Sequence, residues 1–364
     1  MSRLHRCIVS TVALLAAALP ARAADTLVRL GTVFRNEMTP QKIVVTAPAD
    51  RDIEVASAKV TCDCLQPLFA PVTLHRGESH AFPFNYLSHG AGRVDVGVEF
   101  VSSTGAVVAR ATVVGFVTER ASWLSVGDAA AEAKQGRAKI LDLRRAERFA
   151  AGHIAHAENV QPFALKARTD LRGARIILVD DGFAPDAIAD RILTLRQLGF
   201  KDVVALQGGM AAWVRAGQSV EGVGGSHWRA ATISAAEFAS ANAASEWRIV
   251  EADAAVRPYA DATKVADWNA AVREVGKLAP SPADRMPLNT LVVASSEADY
   301  ERIERAVGAT APGPLFYVAG GRNALEQLGY TQTAVAAATH QMINVRSDAH
   351  AHGVVSGPCS SCGK

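Results

Sequence analysis

The chain has 364 residues, enough for about two or three domains each with its own core. Its formal charge is only +2, and Arg3, Arg6 and Arg22 supply it in a stretch without acids. The remainder is near neutral and has no basic stripe, which excludes an electrostatic case for nucleic acid. No apolar run beyond the N-terminal stretch is long enough to cross a bilayer.

Arg3, His5 and Arg6 precede an apolar run from Ile8 to Leu19, and Ala21-Arg22-Ala23 supplies small residues for cleavage. This pattern predicts a secretory signal over residues 1–23. The mature protein is then secreted, in a periplasm-like compartment, with no membrane span after cleavage and with Cys7 removed. Four cysteines remain: Cys62, Cys64, Cys359 and Cys362. An even count in an oxidising compartment makes disulfides the default. The sequence does not choose among the three pairings, and the spacing within each pair also suits a metal or thiol exchange.

Residues 24–120 read as strands. Ile43–Val45, Ile53–Val55, Val94–Phe100 and Ala111–Val117 are β-branched runs separated by turn residues, the pattern of a small antiparallel sandwich. Cys62-Asp63-Cys64 follows a strand, with His75–Ser79 and Gly90-Ala91-Gly92 further on. This placing resembles bacterial Ig-like domains in which a Cys-x-Cys follows an early strand, with Asp63 standing where that family usually has Gly.

Residues 122–222 alternate strands and helices: Ala129–Gln135, Lys139–Leu143, Ile176–Val179, Asp186–Leu198, Asp202–Leu206 and Met210–Ala216. Alternation of this length implies a parallel sheet covered on both faces. Within it, Ile140-Leu141-Asp142-Leu143-Arg144 runs through Glu147 and Phe149 to Gly152-His153-Ile154. Leu198-Gly199-Phe200 and Gly208-Gly209 before a helix follow. These motifs, in this order, resemble the rhodanese (sulfurtransferase) family. Residues 230–330 repeat the outline: Trp247–Asp253 stands for Lys139–Arg144, Tyr259 for Phe149, Leu291–Ala294 for Ile177–Asp180, and Ala319-Gly320-Gly321 for the Gly-Gly segment. Nothing corresponds to Gly-His-Ile. The expected architecture is therefore multidomain: an all-β Ig-like sandwich, then two α/β rhodanese-like domains with parallel sheets, the second a degenerate copy. Residues 331–364 read as a mobile tail.

Sulfane transfer needs a soft thiolate that can hold sulfur as a persulfide. The resemblance puts that thiol between Asp180 and Gly182, where this chain has Asp180-Asp181-Gly182. The second copy's loop offers Ser295 and Ser296. A carboxylate is a hard nucleophile and forms no persulfide. Two readings follow for the first loop: a crevice retooled for a cation or neutral partner, or Asp181 or Asp186 capping the next helix behind Pro185. The family-motif residues Asp142, Arg144, Glu147, Gly152, His153, Gly208 and Gly209 read as scaffold, with an Arg144–Glu147 ion pair and His153 satisfying backbone groups at a turn.

Three functions stay open. One is a catalytically degenerate scaffold or binding module in envelope sulfur or redox metabolism, its partners small sulfur compounds or a thiol protein. Another is an enzyme, a thiosulfate-type sulfurtransferase or thiol oxidoreductase with Cys359 and Cys362 as catalytic residues. The third is a copper- or zinc-handling protein using Cys62, Cys64, His350 and His352 with the tail thiols. On the first two readings no cofactor is expected.

Overall fold

The computed structural model describes residues 25–224, 232–241, 247–251, 263–264, 268–278, 281, 283–294, 297–307, 310–311 and 313–329. Nine strands come first: β1 (Thr26–Phe34), β2 (Thr39–Thr46), β3 (Ile53–Val55), β4 (Ser57–Val60), β5 (Leu65–Pro67), β6 (Val72–Leu74), β7 (Ser79–Tyr86), β8 (Gly92–Val101) and β9 (Val107–Thr118). They form a sheet ordered β1-β9-β8-β4, another ordered β2-β7-β5, and the pair β3-β6. Val94, Val96, Val98 and Phe100 alternate inward from β8 and meet Phe82, Phe84 and Tyr86 of β7 in one core, the period-two burial that strand geometry dictates. One pairing departs from the antiparallel expectation: β1 runs parallel to β9, Thr26 opposite Ala111 and Phe34 opposite Thr118. Parallel neighbours need a long crossover, and the strands from β2 to β8 supply it.

The next unit comprises β10 (Trp123–Leu124), α1 (Val126–Lys134), β11 (Lys139–Asp142), α2 (Ala146–Ala151), β12 (Glu158–Asn159), β13 (Arg175–Val179), α3 (Pro185–Gln197), β14 (Asp202–Leu206) and α4 (Gly209–Arg215). Its sheet is ordered β10-β14-β13-β11-β12, with every pair parallel. Alternate strand residues feed two cores. Leu141, Ile176 and Leu178 pack with Ile192 and Leu195 of α3 on one face, and Ile140, Ile177 and Val179 with Met210 and Trp213 of α4 on the other. Two-sided burial is why these strands are continuous apolar runs.

Helix α1 starts three residues before the sequence-based position because Ser125 caps it. Its Oγ accepts from the Asp128 N–H at 3.1 Å and donates to the Asp128 carboxylate at 2.7 Å. Ser125→Ala is expected to cost about 1 kcal/mol, read as a lowered thermal midpoint.

The remaining elements are β15 (Thr232–Ile233), α5 (Ala235–Ala241), β16 (Trp247–Glu251), β17 (Thr263–Lys264), α6 (Trp268–Lys277), β18 (Asn289–Val293), α7 (Glu297–Val307), β19 (Leu315–Val318) and a helix over 321–329. Their sheet, β15-β19-β18-β16-β17, repeats the preceding order strand for strand, again all parallel. Arg285 forms a bridge to Val33 on the edge of β1, flanked by Phe34 N–H to Asp284 O and Met286 N–H to Thr32 O.

Candidate functional site

The site is built at the C-terminal ends of β11 and β13. Asp142 ends β11 fully buried, and Arg144, 3% exposed, folds back onto it. The Arg144 Nε donates to Asp142 Oδ1 at 2.9 Å, and Nη2 to Asp142 Oδ2 and to the Gly152 carbonyl, each at 2.6 Å. Asn159 Nδ2 donates to the carbonyls of Asp142 and Arg144 and so fixes the turn. The expected Arg144–Glu147 pair is replaced by Arg144–Asp142. Glu147 is exposed in the first turn of α2, and a buried guanidinium needs an equally buried anion. His153 Nδ1 lies 2.9 Å from the Phe149 carbonyl, with the two rings stacked 3.9 Å apart. Its backbone pairs with Glu221. These contacts hold its ring in place from Nδ1, as a turn-satisfying histidine requires.

The loop from Val179 to Pro185 lies on the start of α4. The Met210 N–H donates to the Asp180 carbonyl at 2.8 Å and the Ala211 N–H to that of Asp181 at 3.3 Å. This close approach is what the Gly-Gly pair permits. A Cβ on Gly209 would lie 2.5 Å from both Asp180 O and Gly182 N. Gly182 itself has φ +95°, open to glycine without steric cost.

Asp181 is 8% exposed and does not cap α3. It accepts from Arg148 Nη1 at 2.6 Å, with Arg144 Nη1 3.9 Å from its other oxygen. Arg148 reaches on through Nη2 to Glu237 of α5 at 3.0 Å. Glu237 in turn accepts from the Ser234 N–H at 2.8 Å and donates its own N–H to Ser234 Oγ, a capping box at the start of α5. Asp186 does not cap α3 either. The helix starts at Pro185 behind Ala184 with no side-chain cap, and Asp186 Oδ1 is buried without a hydrogen-bond partner among the described residues. Pro185, at the first helical position, simply lacks one of the N–H groups that a first turn leaves unpaired.

Burial, then the neighbouring Asp181 carboxylate, pushes Asp180 up to about 7. Burial also raises Asp181 above the usual carboxylate range, against the pull of Arg148 and Arg144. The arrangement thus sets four carboxylates, Asp142, Asp180, Asp181 and Glu237, against the two guanidiniums of Arg144 and Arg148, and no thiol stands at the crevice among the described residues. Arg148 and Glu237 are the participants that sequence reasoning missed. Arg148 lies four residues beyond Arg144, on the turn of α2 nearest the loop. Glu237 sits 89 positions from Arg148, and only its capping position was readable.

Of the other sequence-predicted residues, Ser295, Ser296, His350, His352, Cys359 and Cys362 lie outside the described residues. Cys62 and Cys64 are half-buried with their sulfurs in contact and their Cα atoms 5.3 Å apart. The Cys64 N–H points at Cys62 Sγ, 3.3 Å away. Among the described residues, no group of three or more His, Cys, Asp or Glu could hold a metal ion. None of the described helices is long and apolar enough to cross a membrane.

No curated protein matches the chain. Solved structures similar to it include the rhodanese-like domain of the Alr3790 protein from Anabaena sp., 25% identical over 28% of this chain and 80% of that one, with a TM-score of 0.26. Thiosulfate sulfurtransferase from Pseudomonas aeruginosa is 21% identical over 58% of this chain and 42% of its own, with a TM-score of 0.25. The 3-mercaptopyruvate sulfotransferase SseA from Escherichia coli is 17% identical over 54% and 97%, with a TM-score of 0.23. The family model described as a rhodanese-like domain matches residues 125–216. That stretch is a rhodanese-like domain, and the loop after its strand β13 carries the carboxylates of Asp180 and Asp181.

Proposed function

We propose that this chain is an exported protein in which an Ig-like sandwich and two rhodanese-like units, the second degenerate, form a catalytically silent scaffold or binding module of envelope sulfur or redox metabolism. One observation carries the reading: Asp181 lies in the loop that would hold the reactive thiol, where Arg148 is paired with it and Arg144 is spent on Asp142. A carboxylate oxygen cannot take up sulfane sulfur. The cations that could receive an anionic donor are already neutralised, and the crowded Asp180 and Asp181 would repel one. The repeated strand order supports the second rhodanese-like unit. The shared core of the N-terminal sheets, with its Cys-x-Cys after β4, supports the Ig-like one.

Incubation with thiosulfate and cyanide tests the reading. The wild-type chain is expected to form thiocyanate no faster than the reagent blank. Turnover above the blank overturns the scaffold. If Cys359→Ser then abolishes that turnover, the tail thiols are the nucleophile.

A second reading rests on the contact between the Cys62 and Cys64 sulfurs, at a half-buried site. A bridge closing so short a loop gains little from restraining the unfolded chain, so a dithiol partner opens it readily by exchange. Free-thiol counting before and after exposure to a dithiol protein separates the two readings. Copper or zinc binding by Cys62 and Cys64 would require the pair reduced, and a metal lost on Cys62→Ser would favour it.

A further inference from the structure

A cavity of about 470 Å³ lies between the two α/β units. Gly182 and Gly208 form part of its wall, while Asp181, Arg148 and Glu237 do not line it. Its walls are largely apolar, with Val126, Pro185, Ala212, Met286 and Pro314 among them. The volume falls in the range of small-molecule sites, which combine apolar walls with a few placed polar groups.

Arg215, the last residue of α4, supplies the charge in this wall. It is half-buried, and its Nη1 and Nη2 donate to the carbonyls of Gly313 and Ala311 across the cavity. Carbonyls accept its hydrogen bonds without cancelling its charge. Arg148 contrasts with it, holding two carboxylates. Arg215 pairs with no carboxylate among the described residues, and burial alone pulls its guanidinium below the usual range. A guanidinium has five N–H donors, so three remain after the two carbonyl bonds. The Gln207 side chain also lines the cavity and makes no hydrogen bond among the described residues. Asn289 spends one N–H on the Phe183 carbonyl at 3.0 Å and keeps a second.

An uncompensated guanidinium facing an apolar space calls for an occupant that is negative at one end and apolar at the other. We infer that this cavity binds a small organic acid, its carboxylate on Arg215 with Gln207 and Asn289 in reach, and its apolar body against Val126, Met286 and Pro314. The planar fork of Arg suits a carboxylate. An inorganic oxyanion would satisfy the charge but leave the apolar wall unfilled. The site goes beyond the scaffold reading and does not require it.

The test is titration calorimetry on the full chain with phenylacetate, phenylacetamide and thiosulfate as probes. Phenylacetate is expected to bind saturably, and phenylacetamide at least about tenfold more weakly, since a charge-assisted pair is lost. Thiosulfate is expected to show no saturable binding at the same concentrations. Arg215→Gln should weaken phenylacetate by about tenfold or more. Ala212→Phe, which fills the cavity from α4, should remove binding while the thermal midpoint is kept. Absence of saturable phenylacetate binding overturns the inference, as do equal affinities for acid and amide or an unchanged affinity in Arg215→Gln. Should Arg215→Gln fail to fold, the acid-to-amide ratio on the wild type and the Ala212→Phe result decide. Neither outcome depends on thiocyanate formation, so this site and the scaffold reading fail separately.

Discussion

Arg144→Ala is expected to destabilise the rhodanese-like domain by about 3–5 kcal/mol, the cost of leaving a buried charge without its partner. Asp142 is fully buried and receives the Arg144 Nε and Nη2 as a fork. Truncating Arg144 strands that carboxylate and also frees the Gly152 carbonyl, which tethers the Gly-His-Ile turn to the end of β11. Arg144→Lys keeps the charge but loses the planar fork and is expected to fall between wild type and alanine. The decisive comparison is Asp142→Asn with Arg144→Gln. The double variant removes both charges and should cost less than the sum of the single changes, because residues in one buried network do not act additively. Urea unfolding followed by far-UV circular dichroism reads the loss as a shift in the first transition midpoint. A loss under about 1 kcal/mol for Arg144→Ala would place the pair among solvent-screened surface bridges and sink the argument.

This pair also marks where sequence reasoning succeeds and where it stops. The apolar run into Asp142 and the Gly208-Gly209 step were legible because strand burial and close backbone approach leave composition signatures. The strand runs Ile176–Val179 and Val203–Leu206 were equally plain, since burial on both faces removes polar residues. The partner of Arg144 was not legible. Glu147 and Asp142 both lie within three positions of Arg144, and burial is what distinguishes them. The parallel pairing of β1 with β9 left no local trace either, because register between distant strands is a tertiary fact. The absence of a thiol from the loop could be read directly. What Asp181 does there depended on Arg148, and on the approach of α5 carrying Glu237. Asp at a helix start ordinarily means a cap, and here an ion pair across the crevice overrode that propensity.

Asp180→Asn is expected to stabilise the protein by about 2–4 kcal/mol at pH 8 and by almost nothing at pH 4, a pKa unit being about 1.4 kcal/mol. The sign follows from which state holds the proton. The Asp180 carboxyl titrates near its ordinary 3.8 in the unfolded chain and at about 7 in the folded one. Between those values the folded state binds more protons, so stability falls as pH rises. Below 3.8 both states are protonated and the penalty vanishes; above 7 it is complete. Asparagine keeps the Oδ1 that accepts the Gly182 N–H at 3.0 Å, so the substitution removes charge and preserves the loop's hydrogen bond. Asp181 and Asp186 are also raised by burial and tilt the wild-type curve the same way. The informative quantity is therefore the difference between variant and wild type, measured by urea unfolding at several pH values from 4 to 8. A gap that opens with rising pH and levels off above neutrality identifies Asp180 as a carboxyl held against its own solvation. A flat gap, or one that closes, would mean the crevice admits enough water to solvate that carboxylate. The adjoining Asp181 would then lose part of the desolvation that sets it against Arg148, and the case for a crevice sealed by its own ion pairs would weaken with it.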